Sequence, residues 1–161
     1  MTPVTFTVFG APAGQGNLKR GGGGKLRHAN GIELEGWRTL VRGAAARATG
    51  YHGLVVFGKR RTCVHCGTDR AAHGLFRGAV ALDAIVAIAR PPSVTRPYPT
   101  SRRHSDWDHH ARALCDALTG LMYPDDSQVV DGHVRQVYVG GPGCPLPEPG
   151  ALITVSEVGD A

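Results

Sequence analysis

Aromatic residues are scarce, at 6% of the 161 positions, so any core must be built mainly from aliphatic and small side chains. Long apolar runs are missing as well. None reaches the roughly 18 residues of a membrane span, and no basic head followed by an apolar stretch opens the chain. A soluble, cytoplasmic protein is the expectation. There are only four cysteines, two of them in a Cys-x-x-Cys pair at Cys63 and Cys66. Without a secretory signal, that usage points to metal binding or free thiols rather than a disulfide framework. Acidic residues are rare over the first 104 positions, which hold only Glu33, Glu35, Asp69 and Asp83.

What the front of the chain lacks, the back supplies. Residues 1–60 carry nine Lys/Arg against two Glu, and residues 61–104 carry seven Arg against two Asp. Residues 105–161 reverse this, with two Arg against nine Asp/Glu. A basic body attracts polyanions such as nucleic acid, and an acidic cluster can hold a divalent cation. Solvated surface charge with no partner is the plainer alternative. Length fits one domain spanning 1–161, while 23 Gly and 11 Pro predict long loops.

Hydrophobic patterning predicts a mixed α/β (α+β) fold. Val4–Phe9 alternates like a strand, and Gly10–Gly24 reads as a glycine-rich loop studded with Lys19, Arg20, Lys25 and Arg27. Over Ile32–Ala48 the apolar face Trp37, Leu40, Val41, Ala44, Ala45, Ala48 has helical spacing, with Gly50 as its stop. Leu54–Phe57 and the nearly all-apolar Ala79–Ala89 read as strands, the second as a central one covered on both faces. Further strands are expected at Gln136–Val139 and Ala151–Val158. Between the first two of these four lies a polar insertion, about residues 58–78. Here Cys63, Cys66 and His73 offer three ligands of a structural zinc site, with Cys144 or His52 as possible fourths and free thiols as the alternative. Pro91–His104 is an extended basic segment whose Arg96, Arg102, Arg103 and His104 are candidates for phosphate contact.

The densest chemistry lies in Ser105–Val130, SDWDHHARALCDALTGLMYPDDSQVV, which holds five aspartates. Asp106 and Asp108 are two apart, a spacing that puts both carboxylates on one face of an extended segment. A helix then follows with Ala111, Leu114, Cys115 and Leu118 inward and Asp108 at or near its N-cap. Arg112 lies one turn from both Asp108 and Asp116, so Asp116 is expected to hold it. Asp125 and Asp126 precede a strand, and one of them is expected to complete a carboxylate site with Asp106 and Asp108. A cation bound there activates water and neutralises charge during phosphodiester hydrolysis. Calcium storage fits less well, because no EF-hand loop is present.

The order Asp-x-Asp, a cation four residues on, Asp-Ala-Leu, a glycine, then Asp-Asp-Ser-Gln-Val-Val resembles the RusA family of Holliday junction resolvases. The resemblance is specific between Asp106 and Val130 and covers the rest in outline. It implies a single domain with a mixed β-sheet packed by helices, a homodimer, Mg2+ (with Mn2+ able to substitute), and paired nicks at four-way DNA junctions during recombination and repair. It also implies Asp106, Asp108 and Asp126 as metal carboxylates, Arg112 where the family has a catalytic lysine, and His109 where it has asparagine. Asp116 and Asp125 match further acidic positions. A phage or prophage origin suits so small a nuclease. Two other functions remain open at this level: a zinc-stabilised branched-DNA-binding protein with a degenerate nuclease site, and a nuclease specific for flaps or nicks.

Overall fold

The most apolar segment of the chain forms the middle of the sheet. In the computed structural model, β6 (Val80–Ile88) lies between β8 (Gly150–Glu157), antiparallel to it, and β7 (Val129–Tyr138), parallel to it. Strand β1 (Val4–Phe9) adds antiparallel to β8, giving the order β1-β8-β6-β7 with β1 and β7 at the edges. Two short hairpins stand apart from this sheet, β2 (Leu18–Arg20) with β3 (Leu26–His28), and β4 (Leu54–Phe57) with β5 (Arg60–Cys63). The structure describes residues 2–20, 22–50, 54–57, 60–63, 74–101 and 104–159.

Parallel neighbours need a crossover, and α2 (Trp107–Leu118) provides it between β6 and β7. Helix α1 (Gly31–Thr49) packs on β1 and on α2, and α2 packs on β7. The core therefore lies between two helices and one face of the sheet. Leu34, Trp37 and Val41 of α1 meet Leu114 and Leu118 of α2 over Leu82, Val86 and Ile153. Along β6 burial alternates, and Asp83 projects from the opposite face towards Arg135 at 3.5 Å. The strand is thus central in hydrogen bonding; helices cover one side, and on the other Ile85 and Ala87 pack with Val137 and Leu146 while Asp83 stays exposed, so the expected second cover is only partial.

Other boundaries shift for local reasons. Strand β7 begins seven residues before the predicted Gln136 because pairing with β6 extends it, although Val130–His133 are exposed and lack the alternation of a half-buried strand. The buried face of α2 is His110, Ala113, Leu114, Ala117 and Leu118, one residue out of phase with the predicted face; Ala111 and Cys115 are half-buried. In α1, Leu34 joins the core whereas Leu40 and Ala48 face outward. Helix α1 does stop at Gly50, whose φ of 62° is the left-handed conformation glycine adopts without strain.

Candidate active site

The site forms where the crossover segment turns into α2. Asp106 is the N-cap residue, with extended φ/ψ and no side-chain capping bond, so its carboxylate remains available. Asp108 stands in the first turn instead of at the cap. One oxygen of each carboxylate and a ring nitrogen of His109 lie within 4.8 Å of one another. The Arg112 guanidinium donates to Asp108 Oδ2 at 2.5 Å and, with His109 nearby, holds the Asp108 carboxyl below its usual range. Asp106 and Asp108 open onto a cavity of about 560 Å3, also lined by Tyr98, Trp107 and Gln136. Gln136 Nε2 donates to the Ser105 carbonyl at 3.0 Å, tying the start of the helix to the C-terminal end of β7.

The N-terminal loop is pressed against the same place. The Gln15 amide donates to the His109 carbonyl at 2.8 Å, and a Cβ on Gly14 would come within 2.5 Å of Ser105 and 2.9 Å of His109 Cβ. Only glycine allows that approach. Asn30 donates to the Gly14 carbonyl, and His28 Nδ1 lies 2.9 Å from the Gly16 carbonyl. The β2–β3 hairpin that grows from this root replaces the continuous loop predicted for Gly10–Gly24. Lys19, Arg20, Lys25 and Arg27 are all exposed on it, and Lys19 faces Arg27 across the ribbon.

Several expected partnerships are redistributed. Asp116 does not hold Arg112. It pairs with Arg38 of α1, which also donates to Gln15 Oε1. Arg42 of α1 donates to the carbonyls of Ala117 and Asp116. Asp125 is the cap of the 3-10 turn Asp126–Gln128, and Ser127, through its hydroxyl first and its N–H second, keeps the Asp125 carboxyl below the usual range. Gln128 bonds back to the Asp125 N–H and also donates to the Gly78 carbonyl, anchoring the turn beneath β6. Asp126 is exposed beside the C-terminal end of α2, near Cys115 and Asp116. The 4.8 Å cluster brings together Asp106, Asp108 and His109, two of the three predicted metal carboxylates among them, and does not include Asp126.

Arg96 is exposed and bonded to Thr100 Oγ1, while His104 lies 3.1 Å from the Tyr138 hydroxyl. Arg102 and Arg103 lie outside the described residues, as do Cys66, His73 and His52 of the zinc reading. Cys63 ends β5, and Cys144 donates to the Leu146 carbonyl. Sequence reasoning missed Arg38, Gln15 and Gly14, whose roles arise from contacts across the fold. It also passed over Gln128, although Asp-x-x-Gln is a capping-box signature.

As a ligand set, two aspartates supply the oxygen donors Mg2+ prefers, with room for the waters it retains, and the imidazole suits Mn2+ equally well. The residues present fit a divalent cation. No described helix is long and apolar enough to cross a membrane. No curated protein matches the chain. Residues 69–145 match the family described as endodeoxyribonuclease RusA, and this span contains Asp106, Asp108, Arg112 and the Asp125–Gln128 turn. Through that segment, with its acidic motif set at the start of a crossover helix, the chain is similar to the RusA endodeoxyribonuclease family.

Proposed function

We propose that this protein is a Mg2+-dependent resolvase of four-way DNA junctions. The observation that carries the reading is the clustering of Asp106, Asp108 and His109, with the two aspartates lining a cavity, beside the rooted basic hairpin and inside a segment that matches a nuclease family. A divalent cation at the carboxylate pair would lower the pKa of a water nucleophile and offset phosphate charge. Asp106 and Asp108 hold and orient that cation. Arg112 keeps Asp108 ionised and presents a fixed positive charge towards the phosphate as negative charge builds on it. Asp116 acts at a distance, by fixing α1 to α2.

Lys19 and Arg27 are like charges directly opposite each other, an arrangement that destabilises a two-stranded ribbon unless an anion lies between them. DNA phosphates are such anions. With Arg20, Lys25 and Arg96, the hairpin supplies the backbone contacts, and Arg102 and Arg103 belong to the same proposal. A homodimer would present two centres to a symmetric junction and so nick both strands. Asp126, which lies outside the 4.8 Å cluster of Asp106, Asp108 and His109 but on a turn that packs against α2, belongs to the proposal as the third carboxylate serving the cation. A structural zinc at Cys63, Cys66 and His73 is a separate proposal, checked by metal analysis of freshly purified reduced protein.

The test is cleavage of a labelled four-way junction with Mg2+. Wild-type protein is expected to nick opposing strands, and EDTA to stop it. Asp108→Asn is expected to abolish nicking while junction binding persists. Undiminished nicking by Asp108→Asn would remove the proposed centre. One observation favours a second reading, a binding protein with a degenerate centre: Arg112, in the place of a lysine, is bonded directly to Asp108. Wild-type protein that shifts the junction and never nicks it would establish that reading, whereas preference for flaps or nicked duplex in competition would identify a nuclease of different specificity.

A further inference from the structure

Trp107 stands between the two carboxylates in sequence, at the first position of α2, and its side chain does not enter the core. It is 59% exposed, in a chain whose other tryptophan, Trp37, is 2% exposed. Tyr98 is also half in solvent, at 49%. Both rings line the cavity of about 560 Å3 that Asp106 and Asp108 share. Exposing two large rings to water forgoes the stabilisation of burying them, and the fold does nothing to hide either one.

The segment carrying Tyr98 is held in place without help from a ligand. Arg90 donates to the carbonyls of Val94, Thr95 and Arg96, and its guanidinium lies 5.8 Å from the centre of the Tyr138 ring. At Gly141 a Cβ would lie 3.2 Å from the Pro97 carbonyl, so the neighbouring turn closes tightly on this segment. A braced aromatic wall beside a metal-type carboxylate pair is a preformed pocket, and its volume falls within the range of small-ligand sites.

The chemistry of the walls selects the occupant. Rings favour a flat π-face, while the Gln136 amide and the Thr100 hydroxyl, which also line the cavity, can meet polar edges. Free carboxylates disfavour an anion in the cavity itself, so the phosphate belongs at the cation and the group next to it along the strand enters the cavity. We propose that the cavity lined by Tyr98 and Trp107 is a nucleobase pocket. It takes an unstacked base flanking the phosphate held at Asp106 and Asp108, and this assignment rests on the nuclease reading above. Bases at a branch point have already lost stacking partners, so unstacking them is cheap relative to duplex bases. The pocket would thereby favour branched over continuous DNA.

Trp107 is its own reporter, because Trp37 is buried. In the non-cleaving Asp108→Asn protein, tryptophan emission is expected to fall as a four-way junction binds, and adding Trp107→Phe is expected to remove that change. In cleavage, Trp107→Ala is expected to lower kcat/KM about tenfold, the loss of one base–aromatic stack, whereas Trp107→Phe stays within about twofold. On a junction lacking the base that flanks each cut phosphate, wild type is expected to fall by a similar factor and Trp107→Ala to fall no further. A purely structural role would reduce cleavage of both junctions equally and would overturn the pocket. Saturated binding without any change in emission would also overturn it, while nicking by wild type kept the nuclease reading intact. If wild type binds and never nicks, the nuclease reading fails, and the emission change still decides the pocket on its own.

Discussion

Arg112 and His110 show how much of this site is settled by single side chains. Arg112 reaches Asp108 across one helical turn, and its planar fork cannot give up a proton. A charge role therefore survives Arg112→Lys, and cleavage by that variant is expected within about threefold of wild type. Arg112→Ala is expected to lose about a hundredfold, the usual scale for removing one group that stabilises transition-state charge. Steady-state cleavage of one junction by the three proteins checks this. His110 is buried, and among the described residues neither of its ring nitrogens has a hydrogen-bond partner. Burial, with the charges of His109 and His104 adding to it, lowers its pKa from 6.5 to about 4. The unfolded chain thus takes up a proton that the folded chain refuses. Stability present at neutral pH is lost as pH falls from 6.5 towards 4, by about 3 kcal/mol in total. Urea unfolding in EDTA at a series of pH values should show this slope, and His110→Leu should remove it.

At the scale of elements, the two helices are joined by polar bonds as well as by apolar packing. Arg38 reaches from α1 to Asp116 on α2 and to Gln15 in the loop that touches His109. Its guanidinium is mostly buried, so removing its partner leaves a poorly solvated charge. Asp116→Asn is expected to lower stability by about 1–2 kcal/mol. The Arg38→Ala, Asp116→Asn double variant is expected to lose less than the sum of the two singles, as interacting neighbours do. Equilibrium urea curves for the four proteins read the coupling directly. A fully additive pair would mean that the bond contributes nothing.

At the scale of the molecule, charge is divided by sequence and then brought back together by topology. The basic hairpin comes from residues 18–28 and the acidic pair from residues 106 and 108, yet the Gln15–His109 bond sets the root of one against the other. Junction binding is therefore expected to weaken steeply with salt. Replacing Lys19 and Arg27 by alanine should make the slope of log K against log salt shallower by about two, since each phosphate contact contributes close to one. A slope unchanged by that double substitution would place the DNA elsewhere on the surface.

Much of this was legible in the chain because it rests on local physics. Strand alternation at Val4–Phe9, the apolar run of β6, the Gly50 stop and the Asp106–Asp108 spacing depend on neighbours in sequence, and so does the acidic motif that carries the family. The exposed position of Trp107 follows partly from α2's period, which turns it off the buried face. Other features were set only when distant segments met. Sequence spacing allowed Arg112 to pair with either Asp108 or Asp116, and Arg38, 78 residues from Asp116, took the second of these. The motif groups Asp126 with the Asp106–Asp108 pair, whereas the tight cluster forms from that pair and the neighbouring His109. The sequence by itself determined which residue types were present to hold a cation. The tertiary structure decided which of them form a tight cluster and which, like Asp116, are taken by a distant partner, because those contacts depend on how separate elements pack.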